Sequence, residues 1–186
     1  DSARHIGVAS IPLLWDVQQA VEAVRWCEDN GLRSVMIPTL WGEHDPYHHT
    51  KYDPFWAVCE ETGVIVHFHS GPAPHPEYFG AEFPAGGKRE DLPGAMGIYV
   101  SEVMWWLYRP LTFMIWGGVF ERFPKLKAMI VEGGTMFMLP SWLRLMDFHY
   151  TEGQISAKLG NFRKHLSLKP SEYFQRNIGI GASCVL

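Results

Sequence analysis

Residues 63–71, with the sequence GVIVHFHSG, decide the fold. An apolar run leads directly into His67 and His69, so a short strand carries two imidazoles at its carboxyl end. Residues two apart on a strand point to the same face, so the two rings can act together. They suit a metal ion, although a zinc site needs at least one further ligand. For each histidine alone, a hydrogen-bonded structural role is the alternative.

Composition limits what can surround this strand. The chain has 186 residues, 47% of them apolar, so it can bury one core, and we expect a single domain over residues 1–186. Its net charge is -4 and its basic residues are scattered, which argues against nucleic acid as a partner. No apolar run is long enough to cross a bilayer. We therefore expect a small-molecule substrate, and the aromatic content favours a flat, apolar one.

The number and spacing of the cysteines indicate the cellular compartment. Cys27, Cys59 and Cys184 lie far apart, are odd in number and form no Cys-x-x-Cys pair. This pattern is typical of a reducing environment, so we expect a cytoplasmic protein.

Strands and helices alternate on both sides of the histidine strand. The pattern predicts strands over residues 6–11, 34–37, 126–131 and 177–182, and helices that begin at Asp16, Asp53 and Pro140. It also predicts two helices broken at Pro110 and an irregular segment over residues 151–174. Repeated strand–helix–strand units require parallel strands, whose ligands bind beyond the carboxyl ends.

Polar residues gather at that end of the predicted sheet. The long loop over residues 39–52 carries Trp41, His44 and His49, which we expect to line a substrate site. Glu132 follows the apolar strand over residues 126–131, where a role in the site is favoured over a helix cap or a surface carboxylate. A second long loop, over residues 70–97, either covers the site or is a surface excursion.

Several motifs together resemble one family. The runs are WGGVFERFPKLK at 116–127, IVEGG at 130–134, LPSWL at 139–143, YDPFW at 52–56, VHFHSG at 66–71 and PSEYF at 170–174. In combination they resemble the amidohydrolase-related family that includes aminocarboxymuconate semialdehyde decarboxylase. The resemblance implies an α/β fold, a (β/α)₈ TIM barrel with a divalent metal ion, usually zinc, at its carboxyl-terminal mouth.

The resemblance also implies roles for particular residues. The five strands correspond to the third to seventh of the eight, so the family's first metal motif would precede Asp1 and its metal-binding Asp would follow Leu186. Alignment on Gly71 assigns the metal ligand of the fifth strand to His69. Glu132 stands where the decarboxylases have a histidine that acts as acid and base. A whole barrel takes roughly 250 residues, so either the sequence omits parts of a longer protein or a partner, such as a second copy in a homo-oligomer, completes it; we favour omission.

Three functions follow as hypotheses. The first is a metal-dependent hydrolase, in which Glu132 is the general base and His67 a polar partner in the pocket; we favour it because a carboxylate suits water activation. The second is a non-oxidative decarboxylase of a small unsaturated or aromatic acid. The third is a degenerate or truncated barrel without activity.

Overall fold

The computed structural model describes residues 5–39, 41–69, 95–133, 138–152 and 160–181. In this part of the chain, five strands form one parallel sheet in the order β1-β2-β3-β4-β5. They are β1 (Val8–Ser10), β2 (Ser34–Met36), β3 (Ile65–His69), β4 (Ala128–Val131) and β5 (Ile178–Ile180). The helices are α1 (Val17–Asp29), α2 (Asp53–Thr62), α3 (Ala95–Trp116), α4 (Val119–Arg122), α5 (Met138–Thr151) and α6 (Pro170–Asn177).

The strand order itself indicates a barrel wall. Each strand pairs in parallel with the next one in the sequence, without a reversal of order. Since crossovers between parallel strands are right-handed, such an order puts all the connecting helices on one face and leaves the other as a barrel interior. The predicted fold class, an α/β TIM barrel with five of its eight strands present, is confirmed.

Alternation along the strands separates the two faces. On β3, Val66 and Phe68 are fully buried, whereas His67 and His69 lie on the opposite, more open face. His67 pairs in register with Met36 and Met129, so the three side chains lie side by side on the same face of the sheet.

The helix ends follow the sequence signals. Asp16 caps α1 because its carboxylate accepts the backbone N–H of Gln19 at 3.0 Å. Gly63 ends α2 in a left-handed conformation, with φ 69°. Asp53 is the first residue of α2 rather than its cap, and a short 3₁₀ turn (Thr50–Tyr52) runs directly into the helix.

Two local predictions are wrong. Pro110 does not break the chain into two helices but lies inside α3, where it is buried. Burial of its apolar ring offsets the backbone hydrogen bond that a proline cannot donate. The segment predicted to be irregular, residues 151–174, is irregular over residues 160–169, but the prediction is wrong from Pro170 onwards, where α6 begins and buries Tyr173 and Phe174. The expected loop over residues 70–97 falls mostly outside the described residues, and so does Cys184.

Within the described ranges, no helix is both long enough and apolar enough to span a bilayer. Cys27 and Cys59 are buried and carry free thiols.

Candidate active site

Two predicted site residues meet at the carboxyl edge of the sheet. The Nε2 atom of His69, the last residue of β3, lies 2.8 Å from Oε2 of Glu132, which follows β4. When the carboxylate is ionised it can only accept, and the imidazole then donates from Nε2. Nearly half of each side chain is exposed, so both groups are open to a ligand.

An unusual backbone conformation brings them together. His69 pairs in register with Val131, so simple alternation would turn Glu132 to the helix side of the sheet. Glu132 instead has φ 58°, and no other non-glycine residue in the described ranges has a positive φ. This left-handed residue redirects its carboxylate towards His69. Strained residues of this kind cluster at functional sites, because only a well-packed surrounding can hold them.

His67 lies one layer deeper in the same face. Its Nε2 atom is buried and has no hydrogen-bond partner among the described residues. Burial lowers the pKa of this imidazole, so the ring is neutral near pH 7. Depending on the tautomer, this unpartnered nitrogen can accept a hydrogen bond from, or donate one to, a ligand or a water molecule that enters the interior.

A pocket of about 540 Å³ opens beside His69. It lies beyond the carboxyl ends of β1 and β2, and its wall is mostly apolar. The lining residues are Ser10, Ile11, Pro12, Trp15, Met36, Ile37, Pro38, Thr39 and His69. The pocket reaches His69 but is not lined by Glu132, so the carboxylate stands at its margin.

Trp15 is a site residue that the sequence reasoning missed. Its side chain lines the pocket and is 70% exposed, and its ring meets that of His44 edge-on at 5.8 Å between centroids. Its position after Pro12, between a strand end and the cap of α1, is the signal that could have identified it, because this connection emerges at the mouth.

The three predicted substrate-binding residues lie in different settings. Trp41 is buried and packs edge-on against Tyr47 and Phe113. His44 reaches the pocket margin through Trp15. His49 caps the 3₁₀ turn, where its Nδ1 accepts the backbone N–H of Lys51 at 3.2 Å. Contact of each with substrate stays a prediction.

Comparison with known proteins identifies the chain. A family model described as amidohydrolase matches residues 1–170. The chain belongs to the amidohydrolase family. The resemblance drawn from its motifs is thereby confirmed. Among curated protein sequences, none gives a significant match to this amidohydrolase.

Solved structures share its fold at low identity. An amidohydrolase from Mycobacterium avium subsp. paratuberculosis superposes with a TM-score of 0.69 at 24% identity, over 92% of this chain and 41% of its own. For 5-carboxyvanillate decarboxylase from Sphingomonas paucimobilis, the TM-score is 0.71 at 21% identity, over 97% and 49% of the two chains. Dihydroxybenzoic acid decarboxylase from Polaromonas sp. JS666 was solved with bound manganese and the inhibitor 2-nitroresorcinol. Its TM-score is 0.64 at 18% sequence identity, and the superposition covers 97% of this chain and 51% of the decarboxylase. The chain thus spans about half the length of these proteins.

The residues present fit one part of a divalent metal site. An imidazole nitrogen and a carboxylate oxygen are donors that both zinc and manganese accept. His69 and Glu132 supply one of each, and an ion could bind Nε2 of His69 only when that atom carries no proton. In the described ranges, no three side chains of His, Cys, Asp or Glu come together closely enough to hold an ion.

Proposed function

We propose that the intact protein is a metal-dependent hydrolase that acts on a small carbonyl or carboxylate compound. The 2.8 Å contact between His69 and Glu132 carries this proposal. An imidazole, which is a common metal ligand, and a carboxylate, which can act as a general base, lie next to each other at the carboxyl edge of the sheet. His69 would hold the ion, and zinc is the ion that we expect. A divalent ion at this point would polarise a substrate carbonyl and make a water molecule more acidic.

Glu132 performs the proton transfer in this mechanism. Its carboxylate accepts a proton from the attacking water as the new bond from oxygen to the carbonyl carbon forms. It then returns that proton to the leaving group as the old bond to the same carbon breaks. The left-handed backbone keeps the carboxylate at the mouth, so little reorganisation is needed during the reaction.

His67 and the pocket orient the substrate. The free Nε2 of His67 would form a hydrogen bond with a substrate group that enters the interior. The apolar wall formed by Ile11, Trp15 and Ile37 would bind a flat hydrocarbon part and exclude bulk water. Trp41, His44 and His49, on the loop over residues 39–52, would line the substrate site.

Decarboxylation is the second candidate. Structures of the same fold include decarboxylases of 5-carboxyvanillate and of dihydroxybenzoic acid, and one of them binds manganese. In this reaction the bond to the carboxylate carbon breaks, carbon dioxide leaves, and a protonated Glu132 donates its proton to the carbon that remains. A carboxyl group at this position, where the decarboxylases have a histidine, makes hydrolysis the first choice.

Paired variants test the proposal. We expect native protein to contain about one divalent ion per chain by mass spectrometry, and His69→Ala to lose it. His67→Ala is the matched control, since it removes the neighbouring imidazole of the same strand and should keep the ion. Glu132→Gln should lower the rate of ester or amide hydrolysis by roughly a hundredfold or more. Unchanged metal content in His69→Ala would rule out this ligand, and release of carbon dioxide without hydrolysis would favour the second candidate.

A further inference from the structure

One row of residues across the sheet combines an imidazole with two thioethers. The row follows the register of the strands, so that each member is the pairing partner of the next. In strand order its members are Ser10, Met36, His67, Met129 and Gly179. Residues that pair in register in a parallel sheet point to the same face. His67 is the middle residue of the row, and a methionine stands on each side of it.

The donor atoms of these three side chains can reach a common point. Neighbouring strands lie about 4.8 Å apart. The sulfur of a methionine and Nε2 of a histidine also extend to a similar depth beyond their Cβ atoms. The sulfurs of Met36 and Met129 can therefore approach Nε2 of His67 from its two sides, at a spacing that one ion can bridge.

His67 gives independent evidence that the row binds a ligand. Its Nε2 atom is buried and has no hydrogen-bond partner among the described residues. Such atoms are uncommon, because a buried polar group loses its hydrogen bonds to water and needs a replacement. The neighbouring thioethers are only weak acceptors. Packing alone does not account for an imidazole at this position, whereas an ion that takes up the nitrogen lone pair does.

The chemistry of the donors selects the ion. Thioether sulfur is a soft ligand that favours Cu(I), and imidazole also suits copper, whereas manganese and magnesium favour oxygen. The row contains no carboxylate. His69 and Glu132, at the edge of the sheet, combine nitrogen with carboxylate oxygen and suit a different class of ion. Met36 also lines the pocket beside His69, which provides a path for an ion from the solvent to the row.

We propose that Met36, His67 and Met129 form a binding site for Cu(I), deeper on the sheet than His69. His67 supplies Nε2 while its proton resides on Nδ1, and each methionine supplies a sulfur. The ion thus gains three ligands of the types that it prefers. This site is separate from the proposed function, because it uses neither His69 nor Glu132 as a ligand.

The experiment is an anaerobic titration of the intact protein with Cu(I), followed by NMR of ¹³C-labelled methionine methyl groups. We expect bound Cu(I) to shift two of the eight methionine signals. Met36→Leu and Met129→Leu assign these two signals by their loss. Met114→Leu is the matched control, because Met114 is buried on α3, outside the row. Every variant keeps the three cysteines, so binding of Cu(I) to thiols is common to all of them.

Competition with the chelator bicinchoninate measures the affinity for Cu(I). Loss of an outer partner of a metal ligand already costs roughly tenfold in affinity. We therefore expect at least that loss in Met36→Leu and Met129→Leu, and a larger one in His67→Ala. Met114→Leu should bind as native protein does. Unmoved methyl signals of Met36 and Met129 overturn the inference, and so does an equal affinity for Cu(I) in native protein and His67→Ala.

Two variants separate this inference from the proposed function. His67→Ala should lose Cu(I) and keep the divalent ion, and His69→Ala should do the reverse. Loss of both ions in His69→Ala, or displacement of Cu(I) by excess Zn²⁺, would assign both ions to one site at the edge of the sheet and overturn the inference. Binding of Cu(I) through His67 in a protein that holds no divalent ion would leave the inference standing and reject the metal-dependent hydrolase.

Discussion

Gly117 lies directly against His48. A Cβ atom added to Gly117 would be 2.1 Å from Cβ of His48 and 2.7 Å from the carbonyl oxygen of Phe113. The contact fastens the loop over residues 39–52 to the end of α3, and Arg122 reinforces it by donating to the His48 carbonyl at 3.2 Å and to Asp53 at 2.9 Å. These contacts therefore tie the part of the loop around His48 to the end of α3.

The first prediction concerns this contact. Gly117→Ala should lower the free energy of unfolding by about 2 kcal/mol, because the backbone must move apart to admit the methyl group. Gly179→Ala is the control, since nothing lies within 4 Å of a Cβ at that position. Urea denaturation measures both variants. Equal unfolding midpoints of the two variants would mean that the loop moves away from Gly117 at His48 without a cost in stability.

The second prediction concerns acid stability and Glu121. Burial alone would raise the pKa of this carboxyl, but hydrogen bonds from Tyr173 and Ser167 outweigh it and hold the pKa below the ordinary 4.5. A carboxyl whose folded pKa is lowered contributes stability above its unfolded pKa and loses it as the pH falls through the folded value.

Glu121→Gln tests this linkage. The variant should be less stable than native protein near neutral pH, and the difference in unfolding midpoint should shrink as the pH falls from about 5 to about 3. Glu61→Gln is a suitable control, because its carboxylate pairs with Arg25 at the exposed surface, where salt screens the attraction. A constant difference between Glu121→Gln and native protein across that range would contradict the assignment.

The third prediction separates stability from activity at Glu132. With φ 58°, a side chain at this position is strained, and glycine is not. Glu132→Gly should therefore be more stable than Glu132→Gln by about 1 kcal/mol, while both variants lose activity. Thermal or urea unfolding beside a rate assay measures the two effects. A glycine variant less stable than the glutamine variant would show that the conformation carries no strain.

The sequence predicted what depends on local chemistry. The caps at Asp16 and Gly63, the apolar strands and the sheet edge at which His69 and Glu132 end all follow from residue type and spacing. Pro110 shows the limit, since the local rule for proline predicts a break at a position that is buried inside a continuous helix.

The rest of the site depends on contacts between distant segments. The carboxylate of Glu132 contacts His69, and does not face the helices, because β3 pairs with β4 and because Glu132 has a left-handed backbone conformation. Trp41, a predicted site residue, meets Phe113 only when α3 packs beside the loop after β2, and no spacing in the sequence encodes that packing. From the sequence alone, Trp15 is indistinguishable from any other residue of a connecting loop. Only the structure shows that it lines a pocket.

The last prediction concerns Trp15 as a wall of the substrate pocket. Its ring is 70% exposed, so removing it costs little core packing, whereas a flat substrate loses an aromatic contact worth about 1 kcal/mol. Trp15→Ala should therefore raise KM by roughly five- to tenfold, with kcat and the unfolding midpoint nearly unchanged. Trp26→Ala is the matched control, because Trp26 is similarly exposed, at 59%, but lies on α1 and does not line the pocket. If both variants shift KM alike, or neither does, Trp15 is a surface residue and the pocket beside His69 does not bind the substrate through this wall.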